Sequence, residues 1–96
     1  MKESTIQNKI RLWLEKQGYY VVKVIVANKK GVPDLIVCVN GKFVGLEVKT
    51  PKGTPSELQS YNLGKINECG GLAMIVRSVD DVKELFARHG LMKGDI

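Results

Sequence analysis

Asn40-Gly41 constrains this chain more than any other pair of residues. Both residue types accept the positive φ that a two-residue hairpin turn with the right twist requires. Apolar, mostly β-branched residues precede the pair, and a second strand pattern follows it, so the dipeptide predicts a hairpin with strands over 34–39 and 42–49. A two-residue turn also fixes register. Val39 faces Lys42, and each step back along one strand is matched by one step forward along the other. Asp34 therefore lands directly across from Glu47, and side-chain alternation puts Glu47 and Lys49 on the same face as Asp34.

Two carboxylates facing each other at a Cβ separation of about 5 Å repel. A divalent cation turns that cost into a gain, and hard oxygen ligands suit Mg²⁺ or Mn²⁺. The Lys49 ammonium would stand beside them. The competing interpretation is a half-exposed hairpin on which Asp34, Glu47 and Lys49 form a solvated charge cluster. For the bare D…E-x-K spacing, which arises often by chance, that interpretation is the stronger. The residues flanking the hairpin shift the balance.

Upstream, Ile6, Ile10, Trp13 and Leu14 recur at helical spacing and predict an amphipathic helix over about 4–17, stopped by Gly18. Ser4 to Gln7 fits a capping box with Ser4 as N-cap and Glu3 just outside. An N-terminal acid at that point would complement the helix dipole. Residues 19–26, aromatic and β-branched, predict the first strand. A basic loop over 27–31 leads into Pro33, whose missing amide donor suits a strand's first position. Its Lys29 and Lys30 would stand at the mouth of the hairpin site, holding a phosphate backbone or simply solvated.

Downstream, a loop over 50–54 carries strong breakers, and Thr54-Pro55-Ser56-Glu57 predicts a helix with Thr54 as N-cap, Pro55 at N1 and Glu57 at N3. It runs to about Cys69 and stops at Gly70-Gly71. Gln59, Leu63 and Ile66 share one stripe, so Gln59 points a polar amide toward the sheet, where it needs partners. A buried strand over 72–76 follows, and then a final helix capped by Ser78. Val82, Leu85 and Phe86 form that helix's apolar stripe, which His89 extends, and Asp80 and Asp81 serve its first turn. The tail over 91–96 is expected to fray or to join subunits.

Ninety-six residues suffice for one domain spanning 1–96, and 44% apolar content argues against disorder. A net charge of +5 suits an anionic partner such as nucleic acid. Cys38, expected in a buried strand, and Cys69, at a helix end, form no C-x-x-C, so reduced buried thiols are expected rather than a disulfide or zinc site. No apolar run approaches the roughly 20 residues needed to cross a bilayer, so the expectation is a soluble, cytoplasmic protein with no membrane partner. The predicted element order is α-β-β-β-α-β-α, a small mixed β-sheet flanked by helices.

Taken together, Gly31-Val-Pro-Asp34-Leu35, Leu46-Glu47-Val48-Lys49, Gly53 and Ser56-Glu-Leu-Gln59 resemble the PD-(D/E)XK nucleases, and more narrowly the small stand-alone form of the virus-type replication-repair nuclease domain, VRR-NUC. Glu3-Ser-Thr-Ile-Gln7 extends the likeness to the first helix, so it covers nearly the whole chain. The resemblance implies a restriction-endonuclease-like α/β core. It implies that Asp34 and Glu47 hold one or two Mg²⁺ or Mn²⁺ ions, that the Val48 carbonyl is a further ligand, and that Glu3 completes the acidic site from inside the first helical turn. Lys49 would orient water or neutralise developing charge, and Gln59 would position water or the lysine. A glutamine bonded to loop carbonyls at a helix end is the alternative for Gln59.

The function so implied is metal-dependent hydrolysis of DNA phosphodiester bonds. The stand-alone members resemble Holliday-junction resolvases, symmetric dimers that cut four-way DNA, and their form suggests a phage or bacterial host. Two other classes stay open. One is a nuclease for flaps, single strands or RNA. The other is a non-catalytic nucleic-acid-binding module, against which the joint presence of Asp34, Glu47, Lys49 and Gln59 argues.

Overall fold

A computed structural model describes residues 1–93 of the chain. The elements follow the expected order: α1 (Glu3–Lys16), β1 (Tyr20–Lys23), β2 (Leu35–Val39), β3 (Lys42–Val48), α2 (Glu57–Glu68), β4 (Leu72–Val76) and α3 (Val79–Arg88). The strands make one four-stranded sheet in the order β1-β2-β3-β4. The first two pairings are antiparallel and β3–β4 is parallel, so α2 is the crossover that returns the chain to the sheet. The fold is the mixed-sheet α/β architecture the pattern implied.

The sheet has two unlike faces. One buries Leu35, Val37, Val39, Val44, Leu46 and Val48 against Ile6, Ile10 and Leu14 of α1 and Val82, Leu85 and Phe86 of α3. That core is where most of the favourable burial lies, at about 25 cal/mol for each Å² of apolar surface removed from water. Among the described residues, the opposite face is covered by α2, through Leu63 and Ile66, next to β3 and β4, and by Pro33 over Gly45. Beyond them, the outer face of β1 and β2 is open among the described residues, with Tyr20, Val22 and Cys38 exposed.

Several boundaries differ from expectation, each for a physical reason. β1 stops at Lys23 rather than residue 26, because β2 starts only at Leu35 and Pro33 has no amide to offer; Ile25 and Val26 are left exposed. Cys38 and Cys69 are free but exposed, not buried. Cys38 alternates with the core-facing Val37 and Val39 and so points to the open face. Helix α1 begins two residues earlier than a Ser4 cap would allow: Lys2 is its N-cap, no side chain caps it, and Glu3 lies in the first turn.

Helix α2 is capped by Ser56, not Thr54. The stretch T-P-S-E-L-Q holds two overlapping boxes, Thr54 with Glu57 and Ser56 with Gln59. The second wins, with both of its reciprocal hydrogen bonds formed. Ser78 caps α3 as expected, its hydroxyl accepting from Asp81 N. His89 is exposed rather than on the stripe. Leu91 is buried in the core and its carbonyl accepts from the Tyr19 hydroxyl at 3.0 Å, so the chain just after α3 is docked rather than frayed. Residues 94–96 lie outside the described residues.

Candidate active site

The site grows out of the hairpin. Asn40 and Gly41 take φ of 50° and 78°, the left-handed conformations of the expected turn. The ladder runs in the expected register from Val39↔Lys42 to Leu35↔Leu46. One step further Asp34 meets Glu47, and there the ladder changes character: the Asp34 carboxylate, through Oδ2, accepts the Val48 amide at 2.8 Å. The aspartate is thus anchored by the strand that carries the glutamate. Its own carbonyl accepts from Val24 N at 2.9 Å, tying it to the end of β1 as well.

Glu47 lies in the middle of the sheet, between β2 and its parallel neighbour Ile75 on β4, and is only 1% exposed. Lys49 is also buried, with its Nζ 3.4 Å from Glu47 Oε2 and 4.0 Å from Glu3 Oε2. From α2, Gln59 reaches down: its Nε2 donates to Glu47 Oε2 at 3.2 Å while its Oε1 accepts from Ser56 N at 2.9 Å. Both readings of Gln59 thereby meet in one side chain. It completes a helix cap and holds a site carboxylate.

Carboxylate oxygens from Glu3, Asp34 and Glu47 all lie within 4.8 Å of one another. Burial pushes the Glu47 carboxyl up from its ordinary 4.5 to about 7; the facing Asp34 charge and a shared proton add to the rise, and Lys49 opposes it. One ammonium does not offset the burial and repulsion of this cluster. Glu47 Oε1 is buried with no hydrogen-bond partner among the described residues. An acceptor in that state normally costs about 1–3 kcal/mol. Clustered oxygen donors, one of them orphaned, fit a hard divalent cation, to which Glu3, Asp34 and Glu47 offer ligands.

Lys29 and Lys30 are both exposed, as the solvated reading of the basic loop has it. Lys29 lines a hollow with Pro33, Phe43 and Ile66, while the Lys30 carbonyl accepts from Asn62 Nδ2 on α2. One structural residue was missed from sequence. Arg77, at the end of β4, donates through Nη1 to the carbonyls of Thr50 and Gly53 at 2.6 and 2.7 Å. It staples the loop between Lys49 and the α2 cap. Its signal was a lone arginine closing a parallel strand, at the strand end where α/β sheets gather their sites.

The acidic cluster sits on a small mixed-sheet α/β domain, and comparison with known proteins narrows the class. No family profile matches the chain, and no curated protein does. Solved structures do. One described as "VRR_NUC domain" is 25% identical with a TM-score of 0.78, covering 91% of this chain and 96% of its own. A second, "VRR_NUC domain protein", is 16% identical with a TM-score of 0.80, covering 96% of this chain and 90% of its own. The chain has the fold of a VRR-NUC domain, as its motif residues implied.

Proposed function

We propose that this protein is a Mg²⁺- or Mn²⁺-dependent endodeoxyribonuclease that hydrolyses phosphodiester bonds in branched DNA. The observation that carries the reading is the convergence of Glu3, Asp34 and Glu47 oxygens within 4.8 Å. With them come the buried, unpartnered Glu47 Oε1 and the Lys49 ammonium at 3.4 Å. Those three carboxylates and the Val48 carbonyl are the proposed ligands. Held by these residues, a divalent cation would supply a bound water of lowered pKa and positive charge to offset that building on the phosphate.

The protein's own groups do the rest. Asp34, fixed by the Val48 amide, and Glu47, fixed by Gln59, present their carboxylates with little freedom to reorganise. Gln59 has both ends of its amide engaged, so its role is to position Glu47 rather than to contact the substrate. Lys49 supplies a positive charge at the edge of the cluster, where it orients the attacking water or neutralises charge on the scissile phosphate.

A two-fold dimer would present two such sites to the two equivalent strands of a four-way junction, matching symmetry with symmetry. This part of the proposal rests on the resemblance to stand-alone resolvases. The test is a cleavage assay with Mg²⁺ and with Mn²⁺ on a four-way junction, linear duplex and single-stranded DNA, run beside Lys49→Ala and Asp34→Ala. Paired nicks in the junction, lost in both variants, are expected. Equal cutting of every DNA would keep the chemistry and remove the junction preference. DNA binding without cleavage under either metal would leave a binding module.

A further inference from the structure

The acidic cluster does not use the whole of the sheet face on which it sits. Phe43, Gly45 and Glu47 alternate along β3 on the side that faces α2: a Cβ at Gly45 would meet Pro33 Cγ at 2.9 Å and the Ile66 side chain at 3.2 Å. At the Phe43 end of that row lies a hollow of about 340 Å³, floored by Pro33, Ile66 and Gly71 and walled by Phe43. Gly71 packs close against Ile66 there, where a Cβ would approach Ile66 Cγ2 to 2.7 Å. The hollow is apolar, yet Lys29 and Lys65 stand at its rim. Lys65 leans toward Glu68 at 3.6 Å, and Lys29 has no ion-pair partner among the described residues.

We infer that this hollow takes an unpaired nucleobase of the DNA substrate, stacked on Phe43, with Lys29 and Lys65 holding the phosphates on either side of it. Three observations select this occupant. Phe43 is 49% exposed and lines the hollow, so its ring is accessible to a stacking partner there. The rim is cationic around an apolar floor, which complements a base flanked by phosphates; stacking platforms beside basic groups are how unpaired strands are held. The hollow also continues the face of the acidic cluster. Glu47 and Phe43 are four residues apart on β3, roughly 13–14 Å, so one strand can lie across both. The volume is at the lower end for ligand sites and suits a base with its sugar.

The inference rests on the nuclease reading, and its consequence is specific. The protein would select DNA whose strands part a few nucleotides from the cut, the condition found at a branch point and not in linear duplex. The residues that carry selection are separate from those that hold the metal.

The experiment uses junction DNA with 2-aminopurine placed at successive positions near the cleaved phosphate. Binding is measured in EDTA, where no cleavage proceeds. Wild type should quench the probe at one position only. Phe43→Ala should abolish the quenching, raise KM about tenfold and leave kcat within about twofold. An abasic nucleotide at the responsive position should raise KM by the same factor, with no further loss when combined with Phe43→Ala. As a second route that leaves Phe43 intact, Cys38→Ser protein is labelled with a bulky maleimide on exposed Cys69, which also lines the hollow; plugging it should reproduce the Phe43→Ala effect. A probe silent at every position, with junction cleavage intact, overturns the inference. So does a Phe43→Ala protein that loses self-association in sedimentation while binding DNA unchanged, which would give the hollow to a second copy of the chain. Should wild type cut no DNA, the hydrolytic reading fails, and the probe in EDTA still decides the hollow by itself.

Discussion

At the residue scale, Glu47 is the point of greatest tension, because a buried carboxylate faces Asp34 and leaves one oxygen unpartnered. A raised pKa means that the folded protein holds the proton more tightly than the unfolded chain. The contribution of this group to stability is therefore complete below about 4.5 and is lost as pH rises through about 7. Glu47→Gln removes the tension while keeping an acceptor for Gln59 and gaining a donor toward Asp34. At pH 8 without metal, this variant should be more stable than wild type by on the order of 2–3 kcal/mol, and inactive. Urea midpoints of the two proteins should converge near pH 4; a constant gap at all pH values would refute the account. Metal affinity should rise with pH up to about 7, as cation and proton compete for Glu47. Asp34 separates structure from chemistry in another way. Asp34→Asn keeps an acceptor for the buried Val48 amide, whereas Asp34→Ala orphans it at a cost of roughly 1–3 kcal/mol. Both should fail to cut, and thermal melts should show only the alanine variant destabilised.

At the element scale, the hairpin and the cap of α2 do most to place the site. Ser56→Ala removes the hydroxyl that accepts from Gln59 N and should cost about 1 kcal/mol. The Ser56 N–H still donates to Gln59 Oε1, but the first turn that carries Gln59 over Glu47 is loosened, so cleavage should fall in kcat more than the stability loss alone explains. An unchanged kcat would make the cap purely structural. The hairpin was fully legible in the sequence, because Asn40-Gly41 sets its register locally and nothing distant competes. The start of α2 was not. Two capping boxes overlap there, and the one that forms sets Gln59 at N3, where its side chain also reaches Glu47, a tertiary contact that the local pattern does not contain. The end of β1 was misplaced for a similar reason, since a strand lasts only as long as its partner. The face of Cys38 was obscured by the apolar run of β2, which reads as buried on both sides when only one is covered.

At the scale of the whole molecule, one face of the sheet makes the core and the other is shared between α2, the acidic cluster and the hollow. The candidate site residues are scattered from Glu3 to Gln59, and order along the chain could not show that Glu3 approaches Lys49 around the end of the sheet. A chain of net charge +5 should bind DNA with strong dependence on salt. Lys29→Ala should lower the slope of log affinity against log salt by about 1, as expected for one lost phosphate contact; an unchanged slope would leave that lysine in solvent. The hydrogen bond from Val48 N to Asp34 Oδ2 has a last consequence. It is at once the closing rung of the hairpin and a direct link to the acidic cluster, so a single backbone proton senses both. In a nuclear magnetic resonance titration the Val48 amide should shift as Glu47 loses its proton and again as metal is added. In hydrogen exchange it should become better protected with metal bound, which would make this one nucleus a gauge of the whole site.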